Sequence, residues 1–510
     1  MLDDTEKPQA MICLRWMLVM LLSAILPSMA PAQLRLARVF SDRMVLPADK
    51  PIPIWGSGIP GKKVIVRLAD KEAYSFVEVD SSWQVVLPQR KASARPESLF
   101  ISMGEETLTY RDILLGDVWL CIGQSNMEWP VSKEMHWQKE IHDAHQPLIR
   151  FMNPPPAGRN VFATPFRDSL LERLTVQRFY GWDGWQKCDS LTLPPMSAVA
   201  YFFAKRLQQD IDRPIGLINL SIGGAPLESF IGLDAMRSHP RFRVKTEGDW
   251  LTNDSLPVWV RERGRQNLGG SNARYADAVG PNHAFKPGFA YASGIVPLAP
   301  FPVKGVLVYQ GESNAEEWAR VVEYGDLFKL LVDEYRKLWK APRLPFYWVQ
   351  LSSIERVHWP MFRDVQRQLL EEVDHGGMAV TSDIGSRYDV HPRDKKTVGE
   401  RLARWALKET YGRDIEASGP MPAKARYRNG KLVVAFTHAK GGLRTSDGSP
   451  PSEFSIDGLS DAPASVKRRR IIILSARKPD FIFYGWKPYS GANLINRSGL
   501  PASTFKIPVR

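Results

Sequence analysis

Hydrophobic and polar residues follow three successive patterns along this chain. From residue 33 to about 112, β-rich runs such as "SFVEVDSSWQVVLP" and "ETLTYRDILL" are punctuated by Pro and Gly at short intervals, which predicts a small all-β, sandwich-like domain. From residue 113 the runs become continuous and apolar: "GDVWLCI" (116–122), "IGLINLS" (215–221), "KGVLVYQ" (304–310), "PFYWVQLS" (345–352) and "MAVTSDI" (378–384). Runs of this kind predict strands buried on both faces. Amphipathic patterns lie between them, as in "SAVAYFFAKRLQQDI" (197–211), with Val199, Phe202, Phe203 and Leu207 on one face, and "FRDVQRQLLEEV" (362–373). The alternation predicts an α/β unit over 113–417, a parallel sheet with right-handed crossovers and helices on both sides. Residues 235–300, rich in Arg, Asn, Gly and Pro, read as an excursion from that sheet toward its active face. After Gly419-Pro420 the β texture returns in "KLVVAFTHA", "SVKRRRIIILSA" and "DFIFYGW", predicting a second all-β domain over 418–510.

Composition changes this picture at three points. Residues 11–32 are apolar with a single arginine and end in Ala30-Pro31-Ala32, so 1–32 reads as a cleaved secretory signal peptide and the protein as secreted or periplasmic. A retained anchor helix is the rival reading, but the apolar stretch is short for a bilayer, and no later stretch is long and apolar enough to cross one. Cleavage removes Cys13 and leaves Cys121 and Cys188, too few for a disulfide framework, with a bond between the two left open. The net charge of +13 raises nucleic acid as a partner, yet the basic residues are dispersed. Their one run, Lys467 to Arg470, borders an apolar strand as a solvated edge would, so no nucleic-acid partner is expected.

Candidate chemistry sits where ligands bind an open α/β sheet, just beyond the carboxyl ends of the strands. Those positions hold "GQSN" (123–126), Ile222-Gly223-Gly224, "QGESN" (310–314) and "GSRYDVHP" (385–392). Together they supply a hydroxyl, backbone N–H groups beside glycine, amide side chains, and an Asp two residues before a His. Acyl transfer needs these parts: serine is a weak nucleophile without a base, the imidazole must be oriented, and the oxyanion needs donors. The residue two after Ser125 is Met127, so the G-x-S-x-G elbow of α/β-hydrolases is absent. His136, His142 and His145 lack metal-like partners in sequence, and neither a metal nor a cofactor is expected.

The stretches "GDVWLCIGQSNMEWP", "PIGLINLSIGGAPLES", "PLAPFPVKGVLVYQGESNAEE" and "DVHPRDKKTVGERLARWAL" resemble the sialate O-acetylesterase family of the SGNH hydrolase superfamily. "VFSDRMVLPADKPIPIWG" and "NLINRSGLPASTFKI" extend the resemblance over nearly the whole chain beyond residue 32. It implies an SGNH-hydrolase, flavodoxin-like parallel sheet flanked by β-sandwich-like domains at both ends. It also implies Ser125 as nucleophile, His391 as general base and Asp389 as the carboxylate orienting the imidazole, with Asp383 as substitute because the Asp-to-His spacing is two where superfamily relatives commonly have three. The expected oxyanion donors are the Ser125 N–H and that of Gly223 or Gly224, completed by Gln310; since "GESN" stands in place of the superfamily's Gly-x-Asn-Asp, Glu312 and Asn314 are the other choices for the third contact. Gln124, Asn126, Glu312 and Trp129 are expected against the substrate. The implied activity is removal of O-acetyl groups from sialic acid, with xylan or another acetylated glycan as the alternative substrate and a non-catalytic glycan-binding protein as the alternative of another class.

Overall fold

The computed structural model describes residues 33–269 and 275–510, so the expected signal segment lies outside the described residues. In the first region, strands Lys63–Leu68 and Ser82–Leu87 bury every second residue, Val64, Val66 and Leu68 on one and Trp83, Val85 and Leu87 on the other. Each strand offers one face to the core and the other to water, and the side-chain period of two sorts the sequence accordingly.

The boundary expected at 112/113 falls inside one strand, β1 (Glu106–Gly123). Its first residues alternate between half-buried and exposed, and from Ile113 onward every residue is buried. The change of pattern therefore marks the passage of a single strand from a one-faced sheet, where it pairs antiparallel with Ser93–Met103, into a sheet covered on both faces. The buried side chains of the two regions form one continuous cluster.

That second sheet adds β2 (Gln146–Met152), β3 (Gln186–Cys188), β4 (Ile215–Asn219), β5 (Gly305–Tyr309), β6 (Phe346–Val349) and β7 (Gly376–Ala379), in the order β3-β2-β4-β1-β5-β6-β7. All these pairings are parallel except β3 with β2, so the sheet is mixed. The chain leaves β1 to build β2 and β4 on one side, then crosses to β5 on the other. This reversal opens a crevice at the carboxyl end of β1. Strand β2, "QPLIRFM", is not among the apolar runs because Arg150 interrupts it. The guanidinium is nevertheless buried, donating to the Pro147 carbonyl at 2.6 Å and reaching Asp112 at 3.4 Å.

The helix predicted over 197–211 occupies Ala198–Gln208 (α2, following the one-turn α1, Ser125–Glu128), with the Ser197 hydroxyl accepting from the Ala200 N–H at 3.2 Å. The excursion at 235–300 contributes α3 (Val258–Leu268). The second predicted helix starts earlier than its apolar pattern, as α4 (Trp359–Glu372), since Pro360 suits a first helical turn. Helix α5 (Lys395–Trp405) follows the Asp-x-His segment, capped by Asp394.

The last region has a separate core, including Leu432, Val434, Ile471, Ile473, Ile482 and Phe505, within antiparallel ladders. Lys467 and Arg470 close a hairpin whose turn is Arg468-Arg469, all exposed, which accounts for the basic run as a solvated edge. Cys121 and Cys188 are both buried and free. Among the described residues no helix is long and apolar enough to cross a membrane.

Candidate active site

Gly123 ends β1 with φ +133°, and a Cβ there would lie 2.0 Å from the Tyr309 carbonyl oxygen of β5. Glycine alone tolerates both the dihedral and the approach. The Gln124 N–H donates to the same carbonyl at 3.0 Å, and the chain then turns out of the sheet, so that Ser125 opens α1 on the wall of a cleft of about 1000 Å³.

Across the cleft, Ser125 Oγ lies 2.8 Å from His391 Nε2 although 266 positions separate them in sequence. Asp389 Oδ1 stands 3.5 Å from His391 Nδ1 and accepts the His391 backbone N–H at 2.8 Å, with its side chain more than half exposed. Asp389 thus holds the loop more closely than the ring. The ring is held on its face by Trp129, stacked at 5.2 Å between centroids and 23° between planes. Asp383, the substitute carboxylate, is engaged by Arg401 through two bonds of 2.7 Å. Burial pushes the His391 pKa below its usual 6.5, the Lys395 charge adds to this, and Asp389 opposes it.

Several polar neighbours face inward. Asn126 donates to Glu312 and to the Val390 carbonyl (3.0 Å) and accepts from Lys395 Nζ, so its amide joins the serine turn, the "QGESN" turn and the histidine loop. Gln310 donates to Asn314 Oδ1 at 2.7 Å, and Asn314 donates to Glu228 Oε2 at 2.9 Å; neither residue lines the cleft. Gln124 Oε1 accepts the Ser313 N–H at 3.2 Å while its residue still borders the cleft. The amide nitrogens of Gln310 and Asn314 are thus taken by protein acceptors, while Gln310 Oε1 is buried with no partner among the described residues. Glu312 does line the cleft, and its Oε2 has no hydrogen-bond partner among the described residues. Burial raises the Glu312 pKa and lowers that of Lys395, whose ammonium packs 5.5 Å from the Trp129 and Tyr309 ring centroids.

The glycine turn after β4 comes up beside the serine. A Cβ on Gly223 would lie 4.0 Å from Ser125 Cβ. The Gly223 N–H is occupied, donating to Glu128 Oε2 at 2.6 Å, whereas the N–H groups of Ser125 and Gly224 have no acceptor among the described residues. Gly224 takes φ +79°, with Trp259 and Phe285 packed where a Cβ would be.

Walls are supplied by Trp129, Pro194, Pro195, Phe162 and Trp259, and by charged groups that nothing in the local sequence marked. Arg159 pairs with Glu128 at 2.6 Å, Arg356 pairs with Glu316, and Lys133, Glu262 and Glu317 complete the rim. Glu128 and Lys395 lie within the motif stretches, but only the folded chain shows what they touch. Outside the cleft, Glu134, His136 and Asp394 bring ligand-type atoms within 4.8 Å of one another. Their existing bonds, Glu134 to His136 at 2.9 Å and Asp394 to the Thr397 N–H at 2.9 Å, make them struts of the loops beside His391.

Comparison with known proteins finds similar esterases. The family described as "Carbohydrate esterase, sialic acid-specific acetylesterase" matches residues 290–408. Sialate O-acetylesterase of Mus musculus is 29% identical over 459 residues, covering 82% of each chain. That of Homo sapiens is 28% identical over 442 residues, covering 79% of this chain and 76% of its own. The crystal structure of a carbohydrate acetylesterase from Xanthomonas citri superposes with a TM-score of 0.75 at 29% identity, covering 93% of this chain and 99% of that one. The protein is an esterase of the carbohydrate-esterase class. Within that class the chain is similar to the sialate O-acetylesterases over most of its length, and to the sialic acid-specific acetylesterase family over residues 290–408.

Proposed function

We propose that this protein removes O-acetyl groups from sialic acids, outside the cytoplasm after loss of residues 1–32, by acyl transfer through Ser125, His391 and Asp389 on an SGNH-type sheet. The observation that carries the chemistry is the 2.8 Å contact between Ser125 Oγ and His391 Nε2 on the wall of a large cleft. His391 Nε2 takes the hydroxyl proton as Oγ bonds to the acetyl carbonyl carbon, and the carbonyl electron pair moves onto oxygen. Collapse of that intermediate expels the sugar oxygen, which receives the proton from His391. Water then repeats the sequence on the acetyl-enzyme, releasing acetate and restoring Ser125. The depressed His391 pKa keeps the base unprotonated near neutrality.

The unengaged N–H groups of Ser125 and Gly224 are the oxyanion donors in this reading, and Glu312 Oε2 is the acceptor offered to a sugar hydroxyl. Replacing Ser125 by Ala lowers acetate release from an activated acetyl ester by at least about 10³-fold while circular dichroism stays unchanged. Turnover retained in S125A would remove the mechanism.

A second reading, a neutral acetylated glycan as substrate, is favoured by the charge of the cleft. Two of its three cations, Arg159 and Arg356, are paired with Glu128 and Glu316, and Glu262 and Glu317 add further negative charge. The basic excess of the whole chain is therefore not concentrated where an anionic sugar would sit. Acetate release from O-acetylated sialoglycans measured beside that from acetylated xylan decides between the two.

A further inference from the structure

Glu128 belongs to the "GQSNMEWP" stretch, three residues after the nucleophile, yet the acyl-transfer scheme gives it no task. Its carboxylate reaches from α1 to the turn after β4, accepting the Gly223 N–H at 2.6 Å, and its other oxygen pairs with Arg159 Nε at 2.6 Å. A negative group beside a developing oxyanion opposes it, so a carboxylate here needs a reason.

Geometry supplies one. Gly223 and Gly224 are consecutive in one turn, where Gly224 takes φ +79°, and their N–H groups are related only through the two dihedrals of Gly223, so anchoring the Gly223 N–H restricts the directions open to the Gly224 N–H. With the Gly223 N–H tied down toward α1, the Gly224 N–H has no acceptor among the described residues, and Gly223 itself is held within van der Waals reach of Ser125. Both glycines and Ser125 border the same cleft. Arg159, on the far side of the carboxylate, compensates its charge.

We propose that Glu128 is the positioning residue of the oxyanion hole, latching the Gly223 peptide to the nucleophile's own helix so that the Gly224 N–H is presented with the Ser125 N–H to the carbonyl oxygen of the ester. The proposal rests on the Ser125 acyl-transfer reading given above. It assigns Gly223 to holding the turn and Gly224 to donating. The alternative geometry is a plug, in which Glu128 occupies the donor that the reaction needs and must first withdraw.

Kinetics with an activated acetyl ester separate these possibilities. Glu128→Ala removes the acceptor and is expected to lower kcat about 10²-fold, the scale of one displaced oxyanion donor, with KM changed by less than about threefold. Glu128→Gln keeps a carbonyl oxygen for the Gly223 N–H and is expected to recover most of that loss. The rate at which a phosphonate ester labels Ser125 should follow the same order, because the tetrahedral adduct uses the same donors, while the acid limb of the pH profile, set by His391, stays in place. An unchanged or increased kcat in E128A, or an E128Q variant as impaired as E128A, overturns the proposal. A loss in E128A accompanied by a lowered melting temperature and a displaced acid limb would also overturn it, since that pattern marks general disruption. An active S125A would instead remove the acyl-transfer reading on which it stands.

Discussion

The proton affinity of His391 is set by opposed neighbours: burial and Lys395 lower it, and Asp389 raises it. An imidazole is a base only when unprotonated, so kcat/KM falls as pH drops through its pKa. With that pKa below 6.5, the acid limb of the profile is expected below pH 6.5. Asp389→Asn removes the group that raises the pKa, so the limb should move to still lower pH. Its kcat should fall only about tenfold, against the ~10⁴-fold known where a buried Asp fixes the catalytic imidazole, because Asp389 is more than half exposed and 3.5 Å from the ring. A pH series on both proteins checks both statements. Residue identities at the strand ends are legible in sequence, since polar and glycine residues after apolar runs stand out. Side-chain direction is not legible: Asn126, Gln310 and Asn314 adjoin the cleft in sequence yet spend their amides on Glu312, Lys395, Glu228 and one another.

At the level of elements, the site depends on β1 and β5 approaching closely at their carboxyl ends. Gly123→Ala would place a Cβ 2.0 Å from the Tyr309 carbonyl oxygen at a dihedral that L-residues avoid. The expected cost is about 3 kcal/mol or more from strain and overpacking together, with loss of Ser125 labelling, measured by chemical denaturation and by phosphonate reactivity. The period-two and continuous apolar patterns identify strands β1 and β4 to β6, because those patterns are direct consequences of one-faced and two-faced burial; the run expected at 378–384 meets β7 only at Met378 and Ala379, since Ser382–Ile384 turn out of the sheet as a 3-10 helix. Strand β2 escapes the same reasoning through Arg150, whose charge is met by the Pro147 carbonyl and by Asp112, a group that only the fold brings near.

Across the whole molecule, the last β region is tied to the catalytic sheet by a buried cation. Arg363 of α4 is fully buried and donates to the carbonyls of Gly485 (3.0 Å), Pro488 (3.1 Å) and Lys487 and to the Ser353 hydroxyl (3.2 Å). Arg363→Met removes the charged donor shared by all four groups, leaving the Gly485 and Pro488 carbonyls only their 3.3 Å bonds from Thr504 and Ile354, and a loss of ~3–5 kcal/mol is expected, seen as a lower denaturation midpoint and an earlier transition of residues 418–510 by hydrogen exchange. A midpoint unchanged from wild type would mean that the two regions are held together elsewhere.

The sequence by itself determined the strand-and-helix alternation and the polar and glycine residues that follow the apolar runs, Ser125 among them, because burial and backbone conformation act on neighbours a few positions apart and leave periodic traces. The fold alone decided that β1 runs unbroken from the first region into the second, that Ser125 meets His391 across 266 positions, and that Glu128, Lys395 and Arg159 belong to the site. Contacts of that kind depend on where distant strands end relative to one another, and no local periodicity records it.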